Sequence, residues 1–267
     1  MNIEVIISTM NNSNILELVE KMNIQTKAIV INQSDNHDYK EFSFNNNIIR
    51  SYSFNEIGVG KSRNSGLSRS TETICLMADD DMVYVNNYDQ IILEEFKNNP
   101  SADVILFNVP IYNQDGTKII KIKKNEKINI FNSLKYGTVN IAFRRNTIIK
   151  NNIHFSLFFG GGTFFGSGED TLFINECLKK NLKVISNTKV IATIKQGQST
   201  WFSGYNEKFF MDKGALFKAL SPALYHLYIV QFVLRKRSLY KKEYNFLEIL
   251  KLMYDGARKF KKFEVME

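Results

Sequence analysis

The sequence predicts an α/β domain with a largely parallel sheet, followed by a helical C-terminal segment. Three observations carry that prediction. Through the first two-thirds of the 267 residues, short apolar runs alternate with amphipathic, helix-spaced runs, the pattern of strands joined by helical crossovers. Hydrophobic residues make up 44% and charged residues 23%, which suffices for a packed core and excludes wholesale disorder. From Trp201 onward strand signals fade and aromatic, basic, helix-forming residues take over. The expected division is an α/β domain over residues 1–200 and a helical extension over 201–267.

Taken in order, residues 4–8 (EVIIS) read as a buried strand. Residues 14–22 place apolar side chains at 15, 18, 19 and 22, one face of an amphipathic helix. Strands follow at 27–32 (KAIVIN) and 47–53 (NIIRSYS), then a helix at 62–70 behind a glycine-containing turn. Residues 73–78 (TICLMA) form a fourth strand that runs into Asp79-Asp80-Asp81. A helix at 88–98 and a strand at 102–109 come next. Residues 119–130 alternate in part and carry several Lys, as an exposed hairpin or sheet edge would. A strand at 140–144 and a short helix lead to the glycine-rich run 160–168, a helix at 170–180 and short strands at 183–186 and 190–194. Asn is frequent throughout, with no function attached to it, and no internal repeat is present.

Composition excludes several classes. Two cysteines, Cys75 and Cys177, lie in apolar stretches and give neither a disulfide framework nor a cysteine-rich zinc site. Three His lack any paired-ligand spacing. The N-terminus has no basic, signal-length apolar segment, and no run reaches the roughly 18 apolar residues of a membrane span. A cytoplasmic chain with at most peripheral membrane contact is expected. The net charge of +8 invites a polyanionic partner, but it is unevenly distributed: residues 196–267 hold 13 Lys and Arg against 7 Asp and Glu, and the rest holds 22 against 20. No nucleic-acid motif accompanies the basic segment.

Three segments carry candidate chemistry. The acidic triplet follows a strand, and in open α/β sheets ligands bind beyond the strands' carboxyl ends. Three adjacent carboxylates repel one another unless a cation or hydrogen bonds compensate, and Mg²⁺ or Mn²⁺ takes one or two carboxylates together with phosphate oxygens. A solvated turn with Asp81 as a helix N-cap is the plain alternative. Residues 58–62 (GVGKS) imitate the end of a P-loop, but Asn stands at 55 where that motif needs Gly. They read either as a tight turn opening a helix or as a helix N-terminus that, with Lys61 and Arg63, favours a nucleotide's anionic part. Residues 160–168 (GGGTFFGSG) imply close approach of chain or ligand, or a mobile loop, and end at Glu169-Asp170. That pair reads as helix-dipole partners or as a general base.

In this order the motifs resemble the family 2 glycosyltransferases of GT-A fold, in particular bacterial enzymes of capsule and surface-polysaccharide synthesis. The resemblance covers about residues 1–200 and rests on Ser8-Thr9, Asn32-Gln33-Ser34, GVGKSRNSGL, the triplet and Gly168-Glu169-Asp170-Thr171. It implies a Rossmann-like mixed sheet flanked by helices, with a C-terminal helical extension. It further implies an inverting, metal-dependent transfer of a sugar from a nucleotide-diphosphate donor, with UDP the expected nucleotide, to a saccharide or polyprenyl-diphosphate-linked acceptor. Ser8, Thr9, Asn32 and Gln33 would line the nucleoside pocket, with Lys61 and Arg63 beside it. Asp79 and Asp80 would approach ribose and pyrophosphate, and Asp81, with Asp79, would hold Mn²⁺ or Mg²⁺. Asp170 would be the base assisted by Glu169, and Gly168 and Trp201 would face the acceptor. Asn32 and Gln33 depart from the acidic residues usual at that strand end, although an amide oxygen still accepts a hydrogen bond. Tyr, Phe and Leu interleaved with Lys and Arg beyond 224 fit either an interfacial helix on the inner membrane face or helices packed on the domain with solvated basic sides. Two alternatives stand beside the leading one: a non-catalytic membrane-associated binding protein on the same fold, and a nucleotidyltransferase that makes sugar nucleotides.

Overall fold

The computed structural model describes residues 1–113, 115–130, 132–136, 140–195 and 204–264. β1 (Ile3–Met10) is apolar on both faces and lies in the middle of a nine-stranded sheet. Its parallel neighbours are β2 (Lys27–Gln33) and β5 (Ile74–Asp79), with α1 (Ile15–Lys21) as the crossover from β1 to β2. Beyond β2 lie β4 (Asn47–Phe54), parallel to it, and the edge strand β3 (Asp38–Phe44), antiparallel to β4. α2 (Val59–Arg69) returns the chain to β5.

On the other side, α3 (Tyr88–Asn98) leads to β7 (Val104–Asn108), and β11 (Ile141–Arg144) fits antiparallel between β5 and β7. β12 (Val184–Val190) and β10 (Glu126–Lys127) complete that half. A second sheet of four strands joins β6 (Met82–Tyr84), β13 (Ala192–Lys195), β8 (Ile111–Tyr112) and β9 (Lys118–Ile119). α4 (Arg145–Lys150) and α5 (Glu169–Lys179) cover the α2 face, and α6 (Glu207–Leu220), α7 (Tyr225–Arg235) and α8 (Phe246–Glu264) follow.

The sheet is mixed. A parallel block, β5-β1-β2-β4, is flanked by antiparallel pairings, and the expectation of a largely parallel sheet from the βα rhythm alone is corrected by β3, β10 and β11. Residues 119–130 do not pair with each other as a hairpin; β9 and β10 sit on the edges of the two separate sheets.

Alternation along the strands divides the core. Val5, Ile7 and Leu76 pack with Leu18, Val19 and Phe96 of α1 and α3. Ile6, Cys75 and Met77 pack with Leu67, Phe173 and Ile174 of α2 and α5. A third cluster joins α6, α7 and α8 to Phe159 and Phe165 of the glycine-rich stretch. α6 and α8 cross in near contact: a Cβ on Gly214 would stand 1.8 Å from the Met253 carbonyl oxygen, and one on Gly256 1.8 Å from that of Met211. The frequent Asn has a backbone cause. Among the described residues, every non-glycine with positive φ is Asn, including Asn45 and Asn46 (φ 48° and 62°) in the β3–β4 turn. Asn tolerates that region better than other side chains.

Candidate active site

β1, β2 and β5 end at one edge of the large sheet because they run parallel in adjacent positions. Their side-chain alternation splits the expected nucleotide residues into two groups. Ser8, Gln33 and Asp79 fall on the α2 face. Thr9, Asn32 and Asp80 fall on the α1 face, where Thr9 Oγ1 donates to Asp80 Oδ2 at 2.5 Å. Asn32 is engaged there too, accepting the Asn12 N–H at 3.0 Å and donating to the Asn12 carbonyl at 2.9 Å. A cleft of about 400 Å³, lined by Asn12, Asn32, Lys40 and Ser53 among others, opens beside it.

On the α2 face, Ser62 Oγ donates to Ser8 Oγ at 2.8 Å. The next residue of α2, Arg63, is almost fully buried. Its Nη2 donates to Asp79 Oδ1 and its Nη1 to Glu169 Oε1, each at 2.8 Å. The guanidinium also lies over the Phe155 ring, 5.4 Å from its centre. Burial works against its charge, but Asp79 and Glu169 outweigh that and hold it above the ordinary arginine value. Two buried atoms of the expected site residues, Arg63 Nε and Gln33 Oε1, lack a hydrogen-bond partner among the described residues. An unpaired buried acceptor costs free energy unless something donates to it. Lys61, by contrast, is exposed on the first turn of α2 and takes no part in the Arg63 network.

The triplet is the junction between the two sheets. Asp79 ends β5, Asp80 and Asp81 turn, and β6 begins at Met82. Asp81 remains accessible to solvent. Loss of surrounding water, and then the charges of Asp79 and Asp80, push its carboxyl up to about 6. Such a donor set is short of positive charge. Among the described residues no three His, Cys, Asp or Glu side chains form a complete metal cage. A hard cation bound here would take one or two carboxylates from the triplet and the rest of its shell from ligand oxygens.

Gly168 caps α5 with φ +124°, and a Cβ there would stand 2.7 Å from the Leu216 side chain, so both backbone and space require glycine. Its N–H donates to Glu169 Oε2 at 3.1 Å. Glu169 is buried, and its carboxyl is raised by that burial and by Asp170, with Arg63 opposing. Asp170 is half-buried and accepts the Thr171 N–H at 2.7 Å. The glycine-rich run is packed rather than loose. Val59 N–H donates to the Gly161 carbonyl at 3.0 Å, and Gly166 N–H to Asp212 Oδ2 at 2.8 Å. The first of these bonds takes up one N–H at the start of α2, the helix terminus read from the sequence either as a tight turn or as a site for a nucleotide's anionic part.

Arg63 therefore joins the strand-end and helix-start carboxylates into one cluster. Trp201 lies outside the described residues. Sequence reasoning missed Ser62, Asn140 and α6. Asn140 is buried with its amide oxygen unpaired, one residue before β11, and continuing the β11 register sets it opposite Ala78. Asp212 and Lys213 carried no signal beyond an ordinary helix surface.

The fold is shared with solved structures of TarS from S. aureus. TarS residues 1–349 in complex with UDP-GlcNAc match at 18% identity and TM-score 0.61, covering 91% of this chain and 74% of that one. The complex with UDP gives 16% identity and TM-score 0.61 over the same shares, and a longer TarS structure gives 15% and 0.57, covering 81% of this chain and 39% of that one. No curated protein matches the chain. The architecture is that of the GT-A glycosyltransferases, a mixed sheet flanked by helices. The profile of Glycosyl transferase family 2 matches residues 5–167, and the chain belongs to that family.

Proposed function

We propose that this glycosyltransferase moves one sugar, with inversion, from a UDP-sugar to a saccharide acceptor carried on a polyprenyl diphosphate, in bacterial capsule or surface-polysaccharide synthesis. The observation that carries the reading is the Arg63 bridge, in which one buried guanidinium joins Asp79, at a strand end on the donor side, to Glu169, at the helix start on the acceptor side. UDP as the nucleotide is supported by the TarS complexes and by Gln33, whose unpaired buried oxygen can accept a nucleobase N–H. Ser8, Thr9, Asn32 and Asp80 complete that side. Mn²⁺ or Mg²⁺ would be held by Asp81 with Asp79, and when bound it neutralises charge that develops on the departing diphosphate. Asp170 takes the proton from the attacking hydroxyl, while Glu169, tied to Arg63, fixes the start of α5. A single displacement at the anomeric carbon inverts its configuration and needs no enzyme nucleophile. Catalysis is assigned to residues 1–200 and acceptor delivery to 201–267.

The test is a panel of sugar nucleotides assayed for metal-dependent release of nucleoside diphosphate, with and without lipid-linked saccharide. Asp170→Asn and Asp81→Ala should abolish transfer with unchanged circular dichroism. Full transfer by either purified variant sinks the site assignment, and release of pyrophosphate would mark a nucleotidyltransferase instead.

The membrane part of the proposal rests on α7. No described helix is long and apolar enough to cross a bilayer. Tyr228 and Phe232 turn inward against Phe217, but Leu227, Val230 and Leu234 form an exposed stripe, with Arg235, Lys236 and Arg237 at its end. An apolar stripe beside clustered cations suits an anionic leaflet. Leu227→Glu with Leu234→Glu should release the protein from phosphatidylglycerol-containing vesicles in flotation, and unchanged flotation would remove this part of the reading.

A further inference from the structure

We infer that Asp212 of α6 is a positioning residue for the Glu169-Asp170 pair, so that a helix outside the family-matched segment sets the acceptor half of the site. The inference goes beyond the proposed function but rests on its assignment of Asp170 as the base. The family match ends at residue 167, and α6 begins at Glu207. One stripe of that helix nevertheless grips the end of the glycine-rich run. Asp212 Oδ2 accepts the Gly166 N–H at 2.8 Å, and the same oxygen accepts Lys208 Nζ at 2.6 Å. Lys208 Nζ also reaches the Phe164 carbonyl at 3.3 Å. One turn further, Leu216 fills the space that a Cβ on Gly168 would need.

Residues 208, 212 and 216 are spaced four apart, which lays them along one face of a helix. They meet residues 164, 166 and 168, so alternate positions leading into Glu169 are each held by the next turn of α6. The Asp212 side chain is only 13% exposed. A carboxylate accepting a backbone N–H away from water makes a stronger bond than a neutral acceptor would. Between Asp212 and Leu216 lies Lys213, whose ammonium has Asp170, Glu169 and Asp212 as its charged neighbours and Phe209 at 5.8 Å. The helix that carries these groups is itself anchored by the Gly214–Gly256 crossing with α8. The opposite wall of the run is tied to α2 through Val59 and Gly161. The run is thus stretched between a helix that carries Arg63 and a helix that carries Asp212. Release of the second tie frees the acceptor side while leaving the Arg63–Asp79 pair in place.

The experiment compares wild type, Asp212→Ala and Asp212→Asn by three readouts: hydrogen exchange of residues 160–168, calorimetric affinity for UDP with Mn²⁺, and UDP release from UDP-GlcNAc with a lipid-linked saccharide present. Asp212→Ala should speed exchange across the run and lower kcat about tenfold or more, since small displacements of a catalytic group are costly. Affinity for UDP should change less than about twofold, because the donor side is untouched. Asp212→Asn retains an oxygen acceptor and should recover slow exchange and much of kcat. Unchanged exchange in Asp212→Ala, or a loss of UDP affinity equal to the loss of kcat, overturns the inference. If the wild type itself releases no UDP, the proposed function fails on that donor, and hydrogen exchange still decides whether Asp212 holds the run.

Discussion

Arg63 spans 16 residues to Asp79 and 106 to Glu169, and neither separation announces a contact. The sequence marks each of the three as a candidate, through a strand end, a glycine-bearing helix start and a second helix start. Their joining depends on α2 and α5 packing on the same face of the sheet, which only the register establishes. Arg63→Ala leaves the Glu169 carboxylate buried without its cation. Breaking a buried pair in this way costs about 3–5 kcal/mol, and urea midpoints should fall accordingly. Asp79 keeps more of its water and adds little to that figure. Adding Glu169→Gln should recover part of the loss, since a neutral amide needs no counter-charge. A second expectation concerns the thiols. Burial pushes Cys75 up to about 12 and raises Cys177 as well. Both stay protonated as long as pH lies below those raised values. Neither should react with a thiol reagent at neutral pH until denaturant is added, and rapid labelling of the native protein would contradict their burial.

At the scale of elements, the buried strands β1, β2 and β5 and the amphipathic α1 and α3 were legible, because strong periodicity or continuous apolarity marked each one. β3 was not. Its residues, DYKEFSF, are mostly exposed at the sheet edge and carry charge on both faces, so neither pattern develops. The Asn45-Asn46 turn was the available signal, since two consecutive positive-φ residues are what a tight hairpin needs. The approach of α6 to α8 was equally hidden, because a lone glycine in a helix reads only as a weak position. Gly214→Ala must drive a methyl group into the Met253 carbonyl, and the helices have to separate. Overpacking of this kind typically costs about 1–3 kcal/mol, and thermal unfolding should register it. At Gly204, where a Cβ meets nothing but φ is +94°, any loss on the same substitution comes from the backbone alone.

Across the whole molecule, the expected boundary near residue 200 follows a change of composition. The packing does not respect it: Phe159 and Phe165 belong to the cluster of α6, α7 and α8, and Phe260 lies 5.5 Å from Phe159. A chain ending at residue 205 would expose those rings. It should express as aggregate, and a soluble, cooperatively folding product would show that the halves are independent. The basic C-terminal composition likewise did not reveal its arrangement, in which Tyr228 and Phe232 of α7 turn inward and Leu227 and Leu234 outward. Periodicity places residues on faces but does not say which face has a partner.

The antiparallel β11, wedged between β5 and β7, also orders events in time. β1, β2, β3, β4 and β5 can all pair with one another once residue 79 has left the ribosome, with only the β11 side of β5 left open. β7 cannot, because among the described residues its ladders are with β11 and β12, and the first of these arrives with residue 141. While the intervening chain is made, one edge of a half-finished sheet stands open, and such edges invite mispairing. The N-terminal half should therefore acquire exchange protection first, and the segment from 104 to 140 is where a trigger-type chaperone would have the most to shield.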